Sequence, residues 1–383
     1  MKILLLQPAI VRKYKTPLEL KIYKNLKNFF KKINFKKFYH HFEIRSQINI
    51  SSELNHYGDF VKIMGSQNVT AIDKFHPSYL DINETNYDKF IKKENYPSNF
   101  GYESPQFIRE KDIKNKLKDF DVIFASIYFG KNLENFCWYA KKLNKLVVLF
   151  DNIDHEEVYF DYSKIFRGYN YDMFDIYFKK DIPLSFEDKK IYPIAPVPCK
   201  LNFFDTKNIN EYKVDDYTSD IFFVGAFRNG ITRYERLEIC NFFKKMNLKN
   251  NIFLNEKNID FENYLQYANS ASINLSPGGR VWCSYRHADL ANFRKPIILP
   301  KPNCKTTPGK FIDGENSIMY ETINKNKDIF LKTNPDLKDK VNFYLKNDSK
   351  RNQIGIKYFE LISNYHTTFK RAKYLLEKIN NFL

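Results

Sequence analysis

Short apolar runs alternate with longer amphipathic stretches along this chain. Ile3–Leu6, Val122–Ser126 and Leu146–Phe150 are apolar without alternation, which predicts strands of a parallel sheet buried on both faces. Between the last two, residues 132–142 carry apolar positions at helical spacing, completing a strand–helix–strand unit. Residues 175–178 suit a further short strand. A second series begins after the proline-bearing segment IYPIAPVPCK at 191–200, which reads as a linker. Its expected elements are strand Ile221–Val224, a helix over 233–245, strand Ile252–Leu254, helix Phe261–Ala268, and strands Ala271–Leu275 and Ile297–Leu299. A long helix from about residue 352 to 383 closes the chain. The fold class predicted is α/β: two doubly wound, Rossmann-like domains in tandem.

Length supports the division, since 383 residues exceed the usual size of one core. The expected boundaries are 1–195, 196–355 and a closing helix 356–383 that is free to cross back to the first domain. A hydrophobic content of 43% supplies ample core material. The net charge of +17 is spread over both halves, so it suits anionic partners: nucleotides, nucleic acid or an acidic membrane surface. No nucleic-acid recognition module is legible, which leaves a basic nucleic-acid-binding protein as the second reading. Five widely separated cysteines offer neither zinc spacing nor a disulfide framework, pointing to a reduced, cytoplasmic setting. The opening MKILLLQPAI is too short in its apolar run for a signal peptide and reads as a first buried strand.

Residues 12–42 hold ten lysines and arginines against Glu19 alone, with Leu18, Ile22, Leu26, Phe29 and Ile33 at helical spacing. An ordinary first-domain helix with solvated lysines and a face laid on anionic lipid both fit this pattern. On the second reading the protein sits peripherally on the inner face of the membrane.

The stretch LSPGGRVWCSYRHADLANFRKPIILP, 275–300, places charged residues between two apolar runs. In doubly wound sheets ligands bind beyond the carboxyl ends of the strands. Gly278 and Gly279 let the backbone approach an anion without a Cβ. Arg280 and Arg286 supply planar forks suited to phosphate, and a helix starting near Tyr285 is expected to aim its amino end at the same spot. Asp289 suits the hydroxyls of a ribose. His287 suits either phosphate contact or packing on the helix.

This segment resembles the nucleotide-sugar segment of glycosyltransferases with the GT-B fold. Ser284, Arg286, Lys295 and Pro296 match the family's pattern, and Asp289 stands where the family's Glu binds ribose. FIDGENSIMY, 311–320, resembles the family's Gly-Glu-Asn-Gly turn. IFFVGAFRNGITRYERL, 221–237, resembles the opening strand and loop of its second domain. YHTTFKRAKYLL, 365–376, is similar to the closing helix of the spore-protein-like and exostosin-like branches. Arg294 stands in place of a Gly, and Val281 in place of a second Glu that many retaining members carry. An inverting branch is therefore favoured.

The resemblance implies sugar transfer from a nucleotide-activated donor to a glycan or lipid-linked acceptor, as in lipopolysaccharide or capsule synthesis. It implies neither metal nor bound cofactor. The donor-binding set it implies is Gly225, Arg228, Gly278, Gly279, Arg280, Arg286, His287, Asp289, Glu315 and Asn316, with Glu315 fitting a turn equally well. Inverting transfer needs a general base for the acceptor hydroxyl. Asp151, at the carboxyl end of a predicted strand, and Asp154 and His155 beyond it are the candidates. An enzyme of the same fold that epimerises a sugar nucleotide or transfers a polyol phosphate is the third reading.

Overall fold

The computed structural model describes residues 1–6, 59–72, 106–108, 110–126, 133–151, 171–194, 218–227, 234–255, 259, 261–279, 282, 284, 286–306, 308–322 and 333–383. The basic segment 12–42 lies outside them, as do Asp154, His155, Arg228 and Arg280.

The first sheet has seven parallel strands: β1 (Ile3–Leu6), β2 (Val69–Ile72), β3 (Gln106–Ile108), β4 (Val122–Ser126), β5 (Leu146–Asp151), β6 (Ile176–Lys180) and β7 (Ile191–Ile194). Their order is β3-β2-β1-β4-β5-β6-β7, reversing direction between β1 and β4. The missing alternation has a direct cause: both faces are covered. Leu4, Leu6, Ile123 and Val147 pack with Leu133, Cys137 and Ala140 of α1 (Leu133–Lys142). Ile3, Leu5, Phe124, Phe150 and Phe178 pack with Phe60 and with Ala372, Leu375 and Ile379 near the end of the chain. The segment expected to be a linker begins instead as the edge strand β7. Pro193 is tolerated there because an edge strand leaves one side of its ladder unpaired.

The second sheet comprises β8 (Ser219–Gly225), β9 (Asn250–Leu254), β10 (Ala271–Leu275), β11 (Ile297–Pro300) and β12 (Ile318–Tyr320), all parallel, in the order β12-β11-β10-β8-β9. Its reversal point lies between β8 and β10. Helix α2 (Glu235–Lys245) buries Ile239, Cys240 and Phe243 on one face, and α3 (Phe261–Ser270) follows β9. A single turn, α4 (Arg286–Asp289), continues as a 3-10 turn to Phe293. Such a turn is too short for the helix dipole expected near Tyr285.

The long terminal helix is in fact three pieces. After α5 (Leu337–Lys346) come α6 (Asp348–Leu361), a π turn (Ile362–His366) and α7 (Thr368–Asn380). Helix α6 packs on the second sheet through Ile354, Tyr358 and Leu361, whereas α7 supplies the residues covering the first. Thr367, extended at ψ 156°, caps α7 by accepting from Lys370 N. A second tie joins the sheets: Pro183 and Cys304 form an antiparallel bridge, and Lys305 N donates to Ile182 O at 2.8 Å.

Candidate anion-binding site

The loops leaving β8 and β10 flank the point where the order of the second sheet reverses, which is where doubly wound folds open a crevice. Gly225 ends β8. A Cβ there would lie 2.7 Å from Phe223 Cζ and 3.3 Å from Arg286 Nη2, so the glycine makes room for both side chains. Beyond β10, Ser276, Pro277 and Gly278 are buried and Gly279 half-buried.

Arg286 reaches this place from α4. Its Nη2 donates to Val224 O at 2.9 Å, and its guanidinium lies 5.0 Å from the centre of the Phe223 ring. Nη1 is buried and has no partner among the described residues. Burial lowers the Arg286 pKa, opposed by the Asp289 carboxylate among its neighbours. Asp289 is itself buried, one turn further along. An orphaned buried donor costs about 1–3 kcal/mol, a cost that an anion beside Nη1 would remove.

A second guanidinium stands beside it. Arg236 donates through Nε to Gly278 O at 2.9 Å and through Nη1 to Ala226 O at 2.7 Å, and Nη2 lies 3.4 Å from Pro277 O. Burial and then repulsion from Arg286 bring its pKa down to about 10. Arg236 is absent from the set expected from sequence. The available signal was position: 236, 239, 240 and 243 form one face of α2, and a charge in an apolar stripe needs a reason.

Two expected donor-site residues, His287 and Asn316, make their hydrogen bonds within the fold. His287 is fully buried, with Nε2 2.8 Å from Trp282 O and Nδ1 2.7 Å from Ser276 Oγ. A carbonyl only accepts, so Nε2 carries the proton and Nδ1 accepts from the serine hydroxyl. Burial drives its pKa down to about 3, and the ring pins the β10 loop to the segment before α4. Asn316 spends its amide inside its own turn, accepting from Ile312 N at 2.8 Å and donating to Lys310 O at 3.1 Å. Glu315 is exposed on that turn, which leads into the amino end of β12, whereas the glycine loops leave carboxyl ends.

Asp151, a candidate base from sequence, has neighbours in the first sheet. Fully buried at the end of β5, it accepts from the Tyr177 hydroxyl at 2.5 Å and lies 3.6 Å from Lys179 Nζ. Its Oδ2 thereby engages two neighbours of the first sheet. Among the described residues no three His, Cys, Asp or Glu side chains gather as metal ligands, and no helix is long and apolar enough to cross a membrane.

No protein-family model matches the chain, and no curated protein matches its sequence. Solved structures are similar to it in overall trace at low identity. HepE of Anabaena, in complex with UDP and glucose, is 8% identical, with 87% of this chain and 97% of that one covered and a TM-score of 0.47. A glycosyltransferase of Rickettsia africae is 13% identical over 85% of this chain and 92% of that one, also at 0.47. The UDP-GlcNAc 2-epimerase of Methanocaldococcus jannaschii is 12% identical over 86% and 96%, at 0.38.

Proposed function

We propose that the protein is a glycosyltransferase that draws its sugar from a nucleotide-activated donor, with the donor's diphosphate at the loops after β8 and β10. The observation that carries this reading is the buried guanidinium of Arg286, with Nη1 unpartnered, beside Gly225 at the end of β8. Departure of a nucleoside diphosphate builds negative charge on the leaving oxygens. Preorganised donors in a dry site stabilise such charge far better than water does. Arg286 supplies the cation, and Gly225 keeps its path clear.

The resemblance of 221–237 and 275–300 extends the reading to an acceptor hydroxyl in a surface glycan, metal-independent transfer and, through Val281, inversion at the sugar carbon. The acceptor's proton then goes to a base from the first domain, with Asp151, Asp154 and His155 the candidates.

A thermal-shift screen with UDP, GDP, CMP and ADP tests the donor site. At a hundred times its Kd the true nucleotide should stabilise the fold by about 2.7 kcal/mol. Arg286→Ala should abolish that response. A response of unaltered size in the variant, or none to any nucleotide in the parent, defeats the proposal.

A further inference from the structure

Arg236 gives no sign of awaiting a ligand, because its guanidinium is engaged with three main-chain carbonyls. Those carbonyls belong to Ala226, after β8, and to Pro277 and Gly278, after β10. One side chain therefore ties together the two loops at which the strand order reverses. The trans peptide unit sets each C=O antiparallel to the N–H that follows it. Carbonyls of Pro277 and Gly278 turned toward Arg236 hence turn the N–H groups of Gly278 and Gly279 away from α2, both to the same side.

The third peptide shows the same rule with its donor occupied. The Phe227 N–H, which follows the Ala226 carbonyl, is bonded to Asn255 Oδ1 at 2.6 Å. Among the described residues, the N–H groups of Gly278 and Gly279 have no partner. Gly278 is buried and Gly279 half-buried, and buried backbone donors are nearly always satisfied, so a pair aimed one way at a crevice calls for an acceptor. The like charge of Arg286 opposes a second buried cation here, so position rather than charge is what Arg236 contributes.

We propose that Arg236 is a positioning residue that presents the Gly278 and Gly279 N–H groups as a paired donor to the diphosphate, touching no substrate atom itself. The inference rests on the donor-site reading above. A lysine retains the charge but lacks the planar fork that reaches three carbonyls.

The test uses the full chain labelled with 15N-glycine, which gives 12 glycine amides to follow, and inorganic pyrophosphate as the probe. Gly278→Ala and Gly279→Ala identify their own signals by loss. Pyrophosphate should shift both signals in the parent protein. Arg236→Lys should bind pyrophosphate at least 10-fold more weakly, with both shifts lost and the urea midpoint little changed. Parental affinity in Arg236→Lys would show that charge alone suffices and overturn the proposal. So would binding by the parent with both glycine signals unmoved, a result that decides the matter even if Arg236→Lys fails to fold. A parent protein that does not bind pyrophosphate at all removes the donor site itself, which is a different failure.

Discussion

Gly355 lies in the interior of α6, where alanine ordinarily improves a helix by about 1 kcal/mol. Here the sign should invert. A Cβ at 355 would stand 2.1 Å from Arg294 O, 2.7 Å from Arg294 C and 3.2 Å from Lys295 C. Side-chain carbons do not come within 3.0 Å of such atoms, so α6 or the backbone at 294 must retreat by about 1 Å. The obstacle is main chain at a left-handed residue, Arg294 at φ 51°, just before the strand β11, and it cannot rotate aside as a side chain would. Overpacking of this kind costs about 1–3 kcal/mol, and a rigid obstacle belongs at the upper end. After the propensity gain, Gly355→Ala should lose about 2 kcal/mol. Urea unfolding followed through Trp282, which is fully buried in the second core, measures this once Trp138 is replaced by Phe. With a slope of about 2 kcal/mol per molar, the midpoint should fall by about 1 M. A midpoint equal to the parent's, or higher by the amount alanine normally adds, would refute the close approach. The contact matters beyond stability, because the segment it supports also carries Arg286.

Two further outcomes follow from the same region. Arg294 adopts a left-handed conformation that costs a non-glycine residue about 1–2 kcal/mol, while its guanidinium lies 4.6 Å from the centre of the Phe359 ring. Arg294→Gly should therefore be more stable than Arg294→Ala, which keeps the strain and loses the ring contact, by about 1 kcal/mol in urea midpoints; the reverse order refutes it. His287 and His366 are both buried and held neutral, with pKa values far below the ordinary 6.5, in each case chiefly through burial. The unfolded chain takes up protons below pH 6.5 that the folded chain refuses, so stability should fall as pH drops through that value. For His287, whose pKa in the folded protein is about 3, the loss is about 1.4 kcal/mol per pH unit, or about 3 kcal/mol by pH 4.5, and His366 adds to it in the same direction. Stability that stays flat from pH 6.5 to 4.5 refutes this.

Much of the fold was legible because burial on both faces leaves a plain mark: Ile3–Leu6, Val122–Ser126 and Leu146–Phe150 are apolar without alternation, and all three lie in strands. The short strands β2, β3 and β12 escaped because three or four residues carry too little pattern. The closing helix read as continuous since local propensity does not register which sheet each half must cover. The structure breaks it at Ile362–His366, where the chain passes from the second sheet to the first.

The site divides on the same line. Composition and order placed glycines and Arg286 at the end of a strand, because an anion-binding loop needs small residues and cations close in sequence. Sequence alone could not separate residues that face the crevice from residues that hold it. His287 and Asn316 carry suitable chemistry, yet their polar atoms are spent on Trp282, Ile312 and Lys310. Arg236 was the converse, an ordinary helix residue until folding brought carbonyls 226, 277 and 278 within its reach. Hydrogen-bond partners distant in sequence are chosen by tertiary packing, and that choice decides which charges remain for a ligand.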